Sequence, residues 1–380
     1  MSAAPSRFHD PIFYREMRAA SRLGRTPWVV LFLVVGTALL VAFVGGIAGS
    51  TDAVSPASVG AILFQVFFSV ATLIVMILAP AVAANSIAAE REGRTWEALL
   101  LTGLRPAAIA RGKFLSAYAQ VALYLAALAP VGAVPFVFGG VTATEVVGAF
   151  GFLFLFAALA VAYGLAVSSL VPSLRAALVV TLALAILLGP SLYSFFGFGA
   201  SVALHEVWPE VPQGSPIWLP LAWSRAPFGL SYVVYLVAMP VVAVALPAWY
   251  FYALTLTSLT GESDDRVTPL KLWFVVATPL LAGCAAAPAL LVPSPSTRTG
   301  AGAVAVVTVA LYLTFAALHF AEDVPGPSRR VRHRWAKEGV GPLRRFLGPG
   351  IARTYFLVFV LGAASFAAVV GIATGAAAAA

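Results

Sequence analysis

Residues 59–84 read VGAILFQVFFSVATLIVMILAPAVAA, and residues 85–113, which follow directly, read NSIAAEREGRTWEALLLTGLRPAAIARGK. The first stretch is 26 residues without an Asp, Glu, Lys or Arg. A helix rises about 1.5 Å per residue and the hydrocarbon core of a bilayer is ~30 Å thick, so about twenty apolar residues cross it. The second stretch carries eight charges around a leucine-rich patch, Trp96-Glu97-Ala98-Leu99-Leu100-Leu101. An apolar crossing followed by a charged excursion is the pattern from which the chain is built.

Outward from this pair, the same reading predicts eight further spans: 28–48, 116–138, 148–170, 176–198, 228–256, 271–292, 301–321 and 354–374. With 59–84 that makes nine. The runs are continuous rather than alternating, which excludes an outer-membrane barrel. Of 380 residues, 61% are hydrophobic and 10% charged, and the mean hydropathy is +0.96. A soluble domain carries roughly a quarter charged residues, so a water-soluble globule is excluded. A disordered chain needs the opposite balance. The sequence therefore predicts an all-α polytopic membrane protein. Pro80, Pro130, Pro135, Pro240, Pro247, Pro279 and Pro288 fall in these spans and predict kinks, because neighbouring helices can satisfy the freed carbonyls.

Thirty-one of the 38 charged residues fall in four blocks, at 7–25, 90–113, 262–271 and 322–353. The other seven (Asp52, Glu145, Arg175, Glu206, Glu210, Arg225 and Arg298) stand at or between span ends, so no span interior holds a charge. Proton-driven carriers normally place ionisable groups at membrane depth, and that class is disfavoured. With the N-terminus cytoplasmic and nine spans, 21 Lys and Arg face the cytoplasm and 2 the opposite side. Such a split orients the chain, and makes the net charge of +8 a matter of topology rather than of nucleic-acid binding. An integral plasma-membrane (bacterial inner-membrane) protein is expected.

Three segments outside the spans hold information. Residues 7–25 place Ile12, Phe13, Met17, Ala20 and Leu23 near one helical face, with Arg15, Arg18, Arg22 and Arg25 around the rest, Pro11 in the first turn and Asp10 as cap. This predicts an interfacial amphipathic helix. Residues 85–113 predict a short helix whose leucines need cover, either from a partner or from the chain's own membrane domain. Residues 322–353 carry eight basic residues, which attraction to anionic lipid explains. On the far side, residues 200–227, with Trp208, Trp218 and Trp223, predict an interfacial, partly re-entrant cap.

Catalytic patterns are missing from the sequence. There is no G-x-x-x-x-G-K-[ST] loop to cradle ATP phosphates. His205-Glu206 lacks the second histidine of an H-E-x-x-H zinc site, and the single Cys284 excludes a disulfide within the chain. The Gly45-Gly46 and Gly139-Gly140 pairs lie at span ends. The chain is not expected to be an enzyme, and no catalytic, cofactor or metal residue is assigned.

Residues 90–113 resemble the cytoplasmic loop of permease subunits of type-2 ATP-binding-cassette (ABC) transporters. That loop commonly reads ERE-x-GT-x-E-x-LL, then T-P-x-S, then a Gly-Lys pair. Glu90, Arg91, Glu92, Thr95, Glu97, Leu99, Leu100, Thr102, Gly112 and Lys113 match; Arg94 stands where glycine is usual, and the proline comes late, at Pro106. The opening, Asp10-Pro11-Ile12-Phe13-Tyr14-Arg15-Glu16-Met17-Arg18, is similar to the Asn-Pro-x-x-x-Arg-Glu start of many such permeases.

The resemblance implies an N-terminal amphipathic helix (1–27), a six-span core (28–257) with coupling loop 85–113 and extracellular cap 200–227, and about three additional C-terminal spans (258–380) carrying the basic loop 322–353. It implies a permease, with export as its expected direction. ATP and Mg would sit on separate ABC ATPase subunits. A second permease, identical or related, would complete a dimer, with membrane lipids around it and room for accessory subunits. Glu90, Arg91, Glu92, Thr95, Trp96, Glu97, Leu100 and Thr102 are then the ATPase-coupling residues, with Glu92, Thr95, Glu97 and Leu100 as direct contacts, and Arg15, Glu16 and Arg18 belong to the interfacial helix. The alternatives are an ATP-independent carrier or channel, which should show polar residues within spans, and a non-transporting permease-like anchor or scaffold.

Overall fold

The computed structural model describes residues 11–22, 25–50, 55–93, 95–194, 205, 207–209, 218–261, 263–321 and 323–378, and all regular structure among them is helical. Eight of these helices are long and apolar enough to cross a membrane. The fifth predicted span coincides with a ninth helix, Leu174–Ser194, of which Leu174–Leu187 is its described apolar stretch. The chain is an all-α, integral membrane protein. It divides into two compact units, Met1–Ala226 and Pro227–Ala380.

The first unit holds α1 (Pro11–Arg22), α2 (Arg25–Gly49), α3 (Pro56–Glu92), α4 (Trp96–Leu101), α5 (Pro106–Gly132), α6 (Val134–Phe138), α7 (Ala143–Leu170), α8 (Leu174–Ser194) and α9 (Trp218–Arg225). Asp10, the expected cap of α1, lies outside the described residues, as do residues 200–204, 206 and 210–217 of the predicted cap 200–227. The central element is α3. Leu63, Phe64, Phe67, Ala71, Val75, Ala79 and Ala83 recur at helical spacing and are buried, and the helix packs mainly on α7 and α8. Backbone meets backbone where Gly164 of α7 crosses Pro80 of α3: a Cβ on Gly164 would lie 2.3 Å from the Pro80 carbonyl oxygen. On α2, by contrast, Trp28, Phe32, Leu39 and Phe43 are exposed, a liability in water that lipid tails remove.

Two charges predicted at span ends find one another. Glu145 accepts from the Thr142 N–H in a capping box at the start of α7, and its other oxygen takes the Arg225 Nε at 2.9 Å and the Ser224 hydroxyl at 2.7 Å. Helix α9 is thereby pinned to the head of α7, with Trp223 packed edge-on against Phe152.

In the second unit a π-helical turn, Tyr232–Ala238, runs into α10 (Met239–Leu259), followed by α11 (Thr268–Leu291), α12 (Pro295–Phe320), α13 (Arg329–Lys337), α14 (Pro342–Phe346) and α15 (Ile351–Ala378). The predicted sixth span, 228–256, makes its contacts here. Trp273, Phe274 and Phe320 form an aromatic core with Tyr250 and Tyr312, and Ala282, Ala286, Ala305 and Val309 let α11, α12 and α15 close. At the head of α11, Lys271 is fully buried; its Nζ lies 3.1 Å from an Asp323 oxygen and donates to the Gly348 carbonyl at 2.7 Å. The same carboxylate accepts from the Thr354 hydroxyl and the Gly350 N–H.

Candidate functional site

The segment predicted as loop 85–113 is mostly helix. Asn85–Glu92 continues α3, Pro106–Lys113 opens α5, and the true connection is residues 93–105 with α4 inside it. A hydropathy window stops at the first charges, whereas the helix does not. Ala, Glu and Arg are good helix formers, and the backbone ladder continues through them.

Three ties fix the charged end of α3. The fully buried Ser168 hydroxyl accepts from the Ile87 and Ala88 N–H groups at 3.1 and 3.0 Å, and donates to the Ala84 carbonyl at 2.6 Å. Arg91 donates to the Ser169 carbonyl at 2.8 Å. A carboxylate oxygen of Glu92 accepts the Leu174 N–H at 3.0 Å, capping α8. The end of α3 is therefore held to the corner between α7 and α8.

From this base the chain turns into α4. The Thr95 N–H and hydroxyl both donate to the Glu90 carbonyl, and the Thr95 carbonyl accepts the Leu99 N–H at 3.1 Å. Trp96 lies beneath the Arg91 guanidinium, 5.6 Å from carbon to ring centre, a cation–π contact. Leu99 is buried, and Ala98 and Leu101 face outward, Leu101 with 88% of its surface exposed. The Thr102 hydroxyl closes the helix on the Leu99 carbonyl at 2.6 Å. Gly103, at φ +72°, then makes a left-handed turn that L side chains adopt at a cost, and Pro106 starts α5.

Lys113, in the second turn of α5, ties the site together. It is fully buried, and its Nζ lies 3.1 Å from Glu90 Oε2 and 3.3 Å from Glu16 Oε1 and donates to the Ser86 carbonyl at 2.7 Å. Arg15 pairs with Glu90 and, at 2.6 Å, with Glu16. The two motifs that the sequence offered separately, Arg15-Glu16 and Glu90…Lys113, thus meet in one network of four charges. Burial pushes the Glu16 carboxyl up, but the attraction of Lys113 and Arg15 outweighs it and leaves the carboxyl below its ordinary range. Burial lowers Arg15, and its carboxylate partners outweigh that in turn and raise it.

The predicted residues therefore occupy distinct places. Glu90 turns inward to Lys113 and Arg15, and Arg91 and Glu92 grip α7 and α8. Thr95 and Thr102 bracket α4, and Trp96 supports it. Glu97 and Leu100 are on α4, but their side chains lie outside the described residues, as does Arg94 altogether. Arg15 and Glu16 join the network, and Arg18 is exposed on the same helix. The sequence singles out no role for Ser168, and marks Lys113 only as a motif match and a basic charge. The Gly-Lys motif was the one available signal for Lys113; a lone serine in an apolar helix gives none.

Chemically, this arrangement presents a short helix with a bare leucine on a base riveted by charges. A family model described as ABC-2 family transporter protein matches residues 47–249, more than half of the chain. No curated protein and no solved structure matches.

Proposed function

The chain belongs to the ABC-2 transporter family, and from that premise we propose that it is the membrane-spanning permease subunit of an ATP-driven exporter, worked through α4 by a separate ABC ATPase. The observation that carries the reading is Leu101, almost wholly exposed on a helix whose two flanks are fixed. A lever must be stiff where it joins the load and adhesive where it is gripped. Ser168, Arg91, Glu92 and Lys113 supply the stiffness, and Leu101 with Ala98 supplies an apolar contact for a cleft in the motor subunit. ATP and Mg would bind on that subunit, and the two protomers of a permease pair would each present one α4.

The test is copurification of the full-length chain with a coexpressed ABC ATPase. Leu101→Asp changes a side chain that makes little intrachain contact, so the fold should persist while retained ATPase falls at least tenfold. Undiminished retention by the variant would sink the role of α4. An intact chain that retains no ATPase would sink the motor itself.

A further inference from the structure

The second unit carries a cationic cluster that the coupling scheme does not use. Helices α13 and α14 lie in the connection between α12, which ends at Phe320, and α15, which begins at Ile351, both long enough to span. Their basic residues are not equivalent. Arg330 and Arg334 share Asp264, at 3.4 and 2.9 Å. Arg344, Arg345 and Arg353 are exposed, and among the described residues no carboxylate lies within ion-pair distance of them. Arg353 reaches back to donate to the Arg345 carbonyl at 2.8 Å, which ties the foot of α15 to the end of α14, the helix that carries Arg344 and Arg345.

The apolar surroundings of these arginines set their depth. Phe346 of α14 packs edge-on against Phe356 of α15, with ring centres 6.1 Å apart. Phe356 is itself exposed, in a row with Tyr355, Phe359 and Val360 that faces outward from a membrane-spanning helix. Leu343 of α14 is 74% exposed and extends that apolar surface past the helix start. A surface that is apolar along α15 and turns cationic at its first turn matches a phospholipid, acyl chain below and phosphate above. Guanidinium groups bind phosphate oxygens in forked pairs, and basic pockets at span ends favour anionic headgroups.

We propose that Arg344, Arg345 and Arg353, with Leu343 and Phe356 beneath them, form a binding site for the headgroup of an anionic phospholipid. The charges match an acidic ligand, and the continuity with the lipid-facing side of α15 selects a lipid over a soluble acidic protein.

The test uses the full-length chain in neutral detergent, titrated with dioleoyl-phosphatidylglycerol or dioleoyl-phosphatidylcholine, with bound lipid counted by native mass spectrometry. The wild type should retain phosphatidylglycerol at least tenfold better than phosphatidylcholine. The triple variant Arg344→Gln, Arg345→Gln, Arg353→Gln should lose that preference while still melting cooperatively in phosphatidylcholine. Arg330→Gln with Arg334→Gln, which frees Asp264 instead, should keep it. Three lysines in place of the arginines should restore the preference in part. Equal retention of the two lipids by the wild type, or an unchanged preference in the triple variant, would overturn the proposal. So would displacement of phosphatidylglycerol by inorganic phosphate at equal concentration, which would mark a soluble anion site. Tighter capture of soluble polyglutamate than of the lipid would reassign the face to an acidic protein.

Discussion

Lys113 and Lys271 pose the same problem in separate units: each is a fully buried ammonium in the first turns of a spanning helix. An unpaired buried charge is costly, so each must be compensated. The two solutions differ. Lys271 faces a carboxylate that is itself 1% exposed; the same oxygen accepts from Thr354 and the Gly350 N–H, and the other oxygen accepts the Val324 N–H. Lys113 faces two carboxylates at 14% and 27% exposure, joined through Arg15, which is half exposed. One network is sealed and is a rivet. The other opens to solvent and is assembled from α1, α3 and α5, so a peripheral helix is latched to the helices flanking α4. Screening makes the open latch weaker than the sealed rivet, though both centre on a lysine.

The comparison breaks most visibly at the rivet. Asp323→Ala leaves Lys271 buried without its paired carboxylate and should cost ~3–5 kcal/mol, seen as a loss of folded yield or a large drop in the denaturant midpoint. The double change Lys271→Met with Asp323→Leu removes both charges and should recover most of that. If the single change proves harmless, the sealed pair is not a rivet.

Lys113→Met is the matching change at the latch. Glu16 and Glu90 keep Arg15, and Glu16 reaches water, so the expected cost is smaller, about 1–3 kcal/mol, most of it from Glu90 Oε2, which is buried and loses its ammonium partner. Its effect should be local: faster hydrogen exchange in Pro11–Arg22 and Asn85–Leu101 with α10 to α15 unchanged. Uniformly faster exchange across both units would contradict a latch.

The smallest effect is that of pH. The folded-state value of Glu16 lies below its ordinary one, so ionised Glu16 stabilises the latch above the unfolded value of about 4.3. That contribution should vanish as the pH falls through the folded value. Limited proteolysis of α1 should accelerate under acid, and Glu16→Gln should show that acceleration already at neutral pH. A cleavage rate that is flat with pH would remove Glu16 from the latch.

Much of this was legible in the sequence. The spans could be read because lipid tails solvate no peptide group, so each crossing must be a helix of about twenty apolar residues. Family membership could be read because two short charged motifs survive in order around those spans. The position of α4 could be read from a leucine run amid charges. The length of α3 could not, since its last turn carries three charges and a hydropathy window stops short of them. Nor could the direction of Glu90, which sequence reasoning aimed outward at a partner and the fold aims inward at Lys113.

What the sequence determined alone was composition along a line: which stretches enter lipid, and which cannot. Only the tertiary structure decided which charges meet. Lys113 and Glu16 are separated by 97 residues, and Arg15 and Glu90 by 75. A pairing over such distances has no local signature. It arises because helices fixed by their apolar faces bring their charged ends together, and a charge withdrawn from water there takes whichever opposite charge packing has placed within reach.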